Sequence, residues 1–558
     1  MQIDLIVTGG EPLAWEWGRV VDGRGGVSGC DAALQEWMDG ERSDWVLFWD
    51  ATLGSPDRAL IQELIQRPVD VWHAGLWLGL GGLPELFDFV IPCWMLHGDP
   101  APTIEASSWR VTLRCCLIRG ELLGWLQGLD AGYQSLEAAG LDLGYRAMAA
   151  GALMRHRKEL AGGAPAADVV RLGIEDEARL TAKTRGRKWL LYGLARAVMT
   201  GARGLAESAR AYRRARKAAL VQPGGWQKRG WRMSGEEGRA RSAARVTVLV
   251  PTVDRYPYLR VLMRQLASQT VKPHEVIVVD QTAPDRRQCD WVEAAAGLPL
   301  QVLELDEAGQ CTSRNAGLRA STGEWVLFLD DDDEVAPDLI ERFLACAEEN
   351  GADVVCGVAD EVSGARVPPW FEIRRISDVF PTNAGMVRRE AFQRSGLFDL
   401  AYNRGARADG DLGMRLYRSG AQMVLDPAIR VLHHHAPSGG LRKHKARVVT
   451  YARSRTSVWA RHLPEATELY LRMRYFTPRQ VRESLIQSVL GTFAVRGPWW
   501  KRAAKIAAGL VLLPDTLLTM WKRIRKARGM FQQYPKIEVL PSGALSACLP
   551  GDENSPRY

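Results

Sequence analysis

Short apolar runs that alternate with helical stretches constrain the fold of this chain more than any other feature. They are clearest after residue 245, where the runs 246–250, 276–279 and 325–329 are almost wholly apolar. A helical pattern around residues 258–268 separates the first two runs. Such runs are typical of strands that are buried on both faces of a parallel sheet. The sequence therefore predicts an α/β domain in this part of the chain.

The length of the chain, 558 residues, exceeds what one hydrophobic core supports and suggests about three domains. Residues 1–155 also alternate β-like runs, at 3–7, 45–49 and 111–117, with helical stretches. Residues 156–243 are basic and mainly helical in pattern, which predicts a linker. Residues 244–442 form the second α/β domain, and residues 443–558 are predicted to be a helical C-terminal region.

The cysteines and the first residues of the chain bear on the compartment. The nine cysteines form no Cys-x-x-Cys pair, which argues against a disulfide framework or a zinc site and favours a reducing compartment. The first residues lack the basic segment and the long apolar segment of a signal peptide. We therefore expect a cytoplasmic protein.

Four adjacent aspartates, Asp330 to Asp333, directly follow the apolar run 325–329. Acidic side chains at the carboxyl end of a strand lie where open α/β sheets bind ligands. Four neighbouring carboxylates repel one another unless a cation is present, so a hard divalent metal is the natural occupant. A solvated acidic loop is the alternative, but these acids follow a buried strand and not a polar run.

From about Val246 to His435 the sequence resembles glycosyltransferase family 2, whose members are inverting enzymes with the Rossmann-like GT-A fold of nucleotide-diphospho-sugar transferases. The resemblance rests on four ordered pieces, at 246–252, 276–280, 309–317 and 328–333, the last being a DxD-type motif. It implies transfer of a sugar from a nucleotide-diphospho-sugar to an acceptor hydroxyl, with Mg or Mn as cofactor. By position it assigns donor binding to Pro251, Asp280, Arg314, Asp330 and Asp331, and metal binding to Asp332.

The family also carries a catalytic Asp, which follows a Glu just before a helix. The matching stretch here is 407–416, in which Ala408 stands where the Glu is usual. The resemblance assigns Asp409 as the general base that takes the proton of the acceptor hydroxyl. Asp411 could do the same or cap the start of the helix, and the cap is the interpretation that we favour.

Three consecutive histidines, His433 to His435, follow the strand-like run 428–432. In the family a His at this place completes the metal site, which assigns His433 as a ligand. His433 and His435 share a face of an extended chain, so His435 is the alternative ligand. The neighbouring residues 439–443 are a candidate for a mobile loop whose cations meet the diphosphate.

A repeat links the two α/β domains. The run 44–50 echoes the run 324–330, and the five residues that begin at Asp142 echo the five that begin at Asp411. The first copy lacks the chemistry of the second: its equivalent positions hold Leu34, Ala51, Thr52 and Gly140. On the family pattern, residues 1–155 are therefore predicted to be a degenerate, noncatalytic GT-A-like domain.

The most apolar segment, 506–520, lies near the C-terminus between basic clusters. Pro514 and Asp515 interrupt it, and its uninterrupted part is shorter than the roughly 20 residues that span a bilayer. Tryptophans and basic residues flank the segment. Two interpretations stay open: a helix pair that docks peripherally on the anionic inner face of a membrane, or a helix pair that packs on the catalytic domain.

Together these patterns predict a metal-dependent inverting glycosyltransferase in cell-surface glycan or polysaccharide synthesis. The expected partners are a nucleotide-sugar donor, a glycan or lipid-linked acceptor and an anionic membrane surface. No nucleic-acid partner is predicted, because the basic stretches carry no recognised binding motif. The alternatives are a nucleotidyltransferase of the same fold and a noncatalytic nucleotide-sugar-binding scaffold. Residues 362–378, with Trp370 and Phe371, are the predicted acceptor loop.

Overall fold

The computed structural model describes residues 2–82, 85–88, 94–226, 244–362, 366–436, 439–441 and 455–541. Two sheets organise this part of the chain. Each is built on central strands whose residues are buried almost throughout, as the apolar runs predicted. The fold is therefore α/β, and the second sheet carries the residues predicted for the site.

The first sheet has seven strands, and helices α1 to α4 accompany it. The strands are β1 (Ile3–Gly9), β2 (Val20–Asp22), β3 (Trp45–Asp50), β4 (Val71–His73), β5 (Ala106–Ser107), β6 (Cys115–Arg119) and β7 (Met154–His156). The helices are α1 (Gly26–Asp39), α2 (Arg58–Leu64), α3 (Gly120–Trp125) and α4 (Leu136–Ala150). The strand expected at 111–117 begins only at Cys115, and the boundary expected at residue 155 falls inside β7.

The second sheet has nine strands. They are β8 (Val246–Thr252), β9 (Glu275–Asp280), β10 (Leu300–Glu304), β11 (Trp325–Phe328), β12 (Asp333–Val335), β13 (Val354–Glu361), β14 (Arg375–Ile376), β15 (Gly385–Arg388) and β16 (Met423–His433). Five helices accompany them among the described residues: α8 (Tyr256–Ala267), α9 (Gln310–Ala320), α10 (Leu339–Asn350), α11 (Ala391–Ser395) and α12 (Ala408–Arg418).

The two sheets share one strand order. The first runs β2-β1-β3-β6-β4-β7-β5, and the second runs β9-β8-β11-β15-β13-β16 with β14 paired to β16. Every equivalent pair also has the same direction, with β6 and β15 antiparallel to both of their neighbours. Strands β10 and β12 extend the second sheet at its two ends. The similar sheet expected for the first domain is present, while its origin as a degenerate copy stays a prediction.

The segment predicted to be a linker forms a packed layer of three helices, α5 (Ile174–Arg185), α6 (Arg187–Met199) and α7 (Leu205–Ala215). Their inner faces form an apolar cluster around Leu190 and Leu194. Several of the basic residues are paired: Lys183 with Asp142, for example, and Arg196 with Glu483. These contacts join the layer to the first domain and to the C-terminal helices.

The described C-terminal region is helical: α13 (Ala466–Tyr475), α14 (Pro478–Gly491), α15 (Trp499–Val511) and α16 (Leu513–Gln533). No single helix among the described residues is long and apolar enough to cross a membrane, although α15 and α16 pass that test together as a pair bent by 63°. Helix α13 packs beside α12, where Tyr475 donates a hydrogen bond to Asp411. The C-terminal region therefore supports the second domain close to the predicted catalytic residues.

Buried polar contacts join the two α/β domains. The Arg155 guanidinium, at the end of the first sheet, donates to the Gln422 Oε1 atom over 2.9 Å and to the carbonyl of Gly420 over 3.3 Å. Glu105 pairs with the same guanidinium over 2.7 Å. Because Arg155 is only 6% exposed, this connection is part of the core and not a surface contact.

Candidate active site

A cavity of about 480 Å³ lies at the carboxyl ends of β8 and β11. This is the edge of an open α/β sheet at which ligands bind. The predicted site residues that line it are Pro251, Arg314, Asp330, Asp331, Asp409 and His433. Residues far apart in the sequence therefore meet in one cavity, whose size is ordinary for a small-molecule site.

The aspartates that follow β11 form hydrogen bonds and ion pairs with residues from other elements. The Arg255 guanidinium donates to Asp331 and to Asp332, each over 2.9 Å, and the Thr252 hydroxyl donates to Asp331 over 2.8 Å. Arg314 donates to Asp330 over 2.9 Å. Burial raises the pKa of Asp331, and Arg255 opposes that change. The repulsion expected among these carboxylates is thus partly relieved by two arginines, of which sequence reasoning missed Arg255.

His433 is held by the last of the four aspartates. The antiparallel pairing of β12 with β16 sets Asp333 opposite His433, and their side chains meet at 2.8 Å through the His433 Nδ1 atom. The His433 Nε2 atom is buried without a hydrogen-bond partner among the described residues. Burial opposes protonation of His433, but its hydrogen bond with Asp333 and the neighbouring carboxylates raise its pKa. Asp333 therefore orients the imidazole, a role that the sequence did not reveal.

Asp330, Asp332 and His433 offer ligand atoms that all lie within 4.8 Å of one another. Two carboxylates and an imidazole form a donor set that binds divalent transition metals. A carboxylate on the second imidazole nitrogen, as Asp333 provides here, is the usual support for a metal-binding His. The residues present therefore fit a divalent cation, and Asp330, predicted for the donor, belongs to this group as well.

The other two histidines point to different partners. The His434 Nε2 atom meets the Glu334 carboxylate at 2.5 Å, and His435 pairs with Glu361. The His435 ring stands edge-on to the His433 ring, 4.4 Å away between centroids. His435 lines the cavity but does not belong to the group of three that could hold a metal.

Asp409 lies in the first turn of α12, with its carboxylate exposed to the cavity. None of the described residues donates a hydrogen bond to it or pairs with it. By contrast, the carboxylate of Asp411, two residues further on, is fully buried. Asp409 is therefore free to accept a proton from a molecule in the cavity.

Asp411 does not cap the helix, so the interpretation favoured from the sequence is wrong. Helix α12 starts after Arg407, and Asp411 lies inside it, where it pairs with Arg415 over 2.9 Å. The Tyr475 hydroxyl donates to Asp411 over 2.7 Å. Asp411 thus ties α12 to α13 beneath the cavity, which is a structural role.

Backbone strain concentrates around the cavity. Four described residues other than glycine have a positive φ, and three of them are Asp254, Arg407 and His435. Arg407 and His435 line the cavity, and Asp254 precedes the Arg255 that binds the aspartates. Such conformations are costly and cluster at functional sites. The strain is consistent with a site whose geometry is fixed before a ligand binds.

Four predicted residues do not line the cavity: Asp280, the buried Asp332, Trp370 and Phe371. Asp280 ends β9, and its carboxylate accepts hydrogen bonds from the Tyr256 hydroxyl over 2.7 Å and from the Thr282 N–H over 2.9 Å. Its neighbour Gln281 lines the cavity instead. Trp370, expected in the acceptor loop, packs against Tyr145 of the first domain, with 6.2 Å between ring centroids. Residues 363–365 of that loop and residues 442–443 of the expected mobile loop lie outside the described residues.

The equivalent region of the first sheet is filled by its own chain. The Arg114 side chain pairs with Asp50 over 2.8 Å, where the second sheet has its aspartates. A Cβ atom on Gly140 would lie 2.6 Å from the carbonyl oxygen of Val111, because the chain crosses directly over α4 there. Leu113 accepts a hydrogen bond from the Thr8 hydroxyl. Residues 111–114 thus occupy the space that the cavity occupies in the second domain.

The fold and the cavity together define a GT-A-type α/β domain with a candidate metal group at the strand ends. Residues 247–408 match the family model described as glycosyl transferase family 2. The second domain therefore matches glycosyltransferase family 2 over these residues. The family and the fold class inferred from the sequence are confirmed.

Curated relatives share parts of this domain. An uncharacterized glycosyltransferase of Haemophilus influenzae is 36% identical over 106 residues, which are 19% of this chain and 35% of that protein. The poly(ribitol-phosphate) beta-N-acetylglucosaminyltransferase TarS of Staphylococcus aureus is 30% identical over 126 residues, 22% of each chain. The chain thus spans about a third of the first relative and less than a quarter of the second.

Two solved structures match part of this chain. Residues 1–349 of the S. aureus TarS protein are 19% identical, with 52% of this chain and 91% of that chain covered and a TM-score of 0.33. The mannosyltransferase PcManGT from Pyrobaculum calidifontis, in complex with GDP-Man and Mn2+, is 18% identical, with 52% and 88% covered and a TM-score of 0.33.

Proposed function

We propose that the second domain transfers a sugar from a nucleotide-diphospho-sugar to an acceptor hydroxyl, with inversion at the anomeric carbon and with a divalent cation, Mg or Mn. One observation carries this proposal: the Asp409 carboxylate, which has no partner among the described residues, lies in the same cavity as Asp330 and His433, and the buried Asp332 completes their cation-binding group. A base for the acceptor and a site for the donor's phosphates are what such a transfer requires.

The cation-binding group accounts for one half of the chemistry. The Nε2 atom of His433 is buried and has no hydrogen-bond partner among the described residues, while Asp333 already binds the Nδ1 atom. A bound cation would give the Nε2 atom a partner. When bound, a divalent cation would neutralise charge on the departing diphosphate. Arg314, on Asp330, adds a guanidinium on the donor side of the cavity.

Asp409 accounts for the other half. Its carboxylate takes the proton of the acceptor hydroxyl as the acceptor oxygen forms a bond to the anomeric carbon. The bond between that carbon and the diphosphate oxygen breaks in the same step, and its electron pair leaves with the diphosphate. A single displacement of this kind inverts the anomeric configuration. Because none of the described residues holds the Asp409 carboxylate, it can reach the acceptor without breaking a native contact.

The acceptor that we propose is a glycan or lipid-linked glycan used in cell-surface polysaccharide synthesis. The TarS relative is named for transfer of N-acetylglucosamine to poly(ribitol-phosphate), which supports an acceptor of this kind. We propose no catalytic part for the first domain, since Arg114 and residues 111–114 fill the equivalent space. Its role in this proposal is to bind or to support.

A screen of nucleotide-diphospho-sugars tests the proposal on the purified full chain, with Mn2+ or Mg2+ and with a chelator. We expect turnover or slow hydrolysis of one donor, its loss with chelator and its return with added cation. Asp332→Ala should lose both turnover and the thermal protection that cation plus nucleotide gives. Asp409→Asn should lose turnover but keep that protection. Full activity with all divalent cations chelated would overturn the role of the cation.

A further inference from the structure

The helices α15 and α16 leave large apolar side chains exposed on both sides of their bend. We call the surface that they form the hinge surface. Eight large apolar side chains form it, with exposed fractions from 48% at Leu518 to 79% at Trp499: Trp499, Trp500, Ile506, Leu510, Val511, Leu517, Leu518 and Trp521. Single exposed apolar residues are normal on a protein, but eight of them on two adjoining helices are typical of an interaction site.

The same two helices already have an inner face that packs on the protein. In α15 the Lys505 ammonium is buried and donates to the carbonyls of Ser457 and Ala460. In α16 the buried residues are Thr516, Met520, Ala527 and Met530, which lie on one side of the helix. Packing on other parts of the C-terminal region therefore accounts for the inner face, and none of the described residues covers the hinge surface.

Positive charge borders the hinge surface at both ends. Lys501 and Arg502 adjoin Trp499 and Trp500, and a second group follows Trp521: Lys522, Arg525, Lys526 and Arg528. The single acidic residue between positions 499 and 528, Asp515, is paired with Arg461. The surface is thus an apolar centre between two cationic borders, with tryptophans at the boundaries.

We propose that the hinge surface docks on an anionic lipid bilayer, with the two helices lying in the interface. Tryptophans prefer the headgroup level of a membrane, aliphatic side chains the region just below it, and lysines and arginines the phosphates. The order of residues along α15 and α16 matches these three preferences. Anionic lipids are enriched in the cytoplasmic leaflet, which is where a cytoplasmic transferase would meet a lipid-linked acceptor.

Vesicle flotation of the purified full chain tests the proposal. We expect the protein to float with vesicles that contain phosphatidylglycerol and to float less with phosphatidylcholine alone or at high salt. The double variant Trp499→Ser and Trp500→Ser should lower vesicle affinity by about tenfold or more, because two large side chains no longer enter the lipid. The control is Trp125→Ser in the first domain, an exposed tryptophan outside the hinge surface, which is 44% exposed against 60% for Trp500.

The outcomes separate this proposal from its competitors and from the proposed function. Equal recovery of the wild-type chain and the double variant in the soluble fraction would overturn docking. A stable dimer that the double variant dissociates, without vesicle binding, would show that a second copy covers the hinge surface. Resistance of the bound protein to high salt and carbonate would mean a helix pair that crosses the bilayer. The Asp409→Asn variant should bind vesicles like the wild type, so loss of transfer leaves this test intact.

Discussion

Asp409 and Asp411 lie two residues apart in α12, and the structure predicts opposite consequences for their replacement by Asn. Asp409→Asn removes a proton acceptor from the cavity and no contact among the described residues. Asp411→Asn removes the negative charge that faces the buried Arg415, with 2.9 Å between their atoms, and weakens the hydrogen bond from Tyr475. The first change should therefore affect turnover, and the second should affect stability.

The magnitudes follow from the contacts. Removing one partner of a buried ion pair costs about 3–5 kcal/mol. The lower end applies to Asp411, because Arg415 keeps its hydrogen bonds to the carbonyls of Ser395 and Gly396. For a domain of this size such a loss corresponds to a fall of roughly 6–12 °C in Tm. Asp409→Asn should change the free energy of unfolding by less than about 0.5 kcal/mol and lower kcat about 100-fold or more.

Two measurements on each variant test these opposite effects: a thermal melt followed by circular dichroism, and turnover of the donor identified in the screen. Donor affinity serves as the control, since neither change removes a group on the donor side. The reasoning fails if Asp409→Asn melts as early as Asp411→Asn. It also fails if a folded Asp411→Asn protein is inactive while Asp409→Asn keeps wild-type turnover.

Three further predictions concern the metal group, the first domain and pH. Asp333→Asn should weaken cation binding about 10–100-fold without removing a ligand, because the imidazole of His433 loses the carboxylate that orients it. Titration with Mn2+ measures the affinity, and an unchanged affinity would refute this role of Asp333. Asp50→Ala should leave transfer almost unchanged, since Arg114 occupies that site, whereas Asp330→Ala should abolish it in the same assay. Burial raises the pKa of Glu177 to about 7 from its ordinary 4.5. The folded chain therefore holds this proton longer than the unfolded chain, and the free energy of unfolding should fall as the pH rises between these values. Urea melts across that range should show the fall in the wild type and a flatter profile in Glu177→Gln.

The strands of the second domain and the line of carboxylates could be predicted because they depend on local sequence. A strand that is buried on both faces needs a continuous apolar run, and β8, β9 and β11 each have one. The acids of Asp330 to Asp333 come at the end of such a run, so their place at the sheet edge follows from the topology. The local sequence pattern is therefore enough to predict the position of the cavity.

The partners of these carboxylates could not be predicted, because each arrives from a distant part of the chain. Arg255 precedes a helix that begins 75 residues before Asp331. The pairing of Asp333 with His433 depends on β12, a strand of three residues that is too short to recognise in a sequence. Helix α13 carries Tyr475, whose hydrogen bond to Asp411 shows that this carboxylate has a structural role. The sequence of the C-terminal region predicted helices there but not which residues they contact.

The ion pair inside α12 has a counterpart in the first domain. The sequence motif that the two domains share therefore does not indicate catalytic activity. Asp142 pairs with Arg146 over 2.8 Å inside α4, as Asp411 pairs with Arg415 inside α12. In both domains a tyrosine nine residues earlier, Tyr133 or Tyr402, donates a hydrogen bond to the aspartate. Both domains have this ion pair and this tyrosine, but only the second domain has an acid two residues before the aspartate. A search for Asp-Leu-Gly-x-Arg will therefore find domains that share this ion pair, whether or not they carry an acid at the position of Asp409. The residue that distinguishes them is the neighbour, Asp409 or Gly140, which contributes nothing to that ion pair.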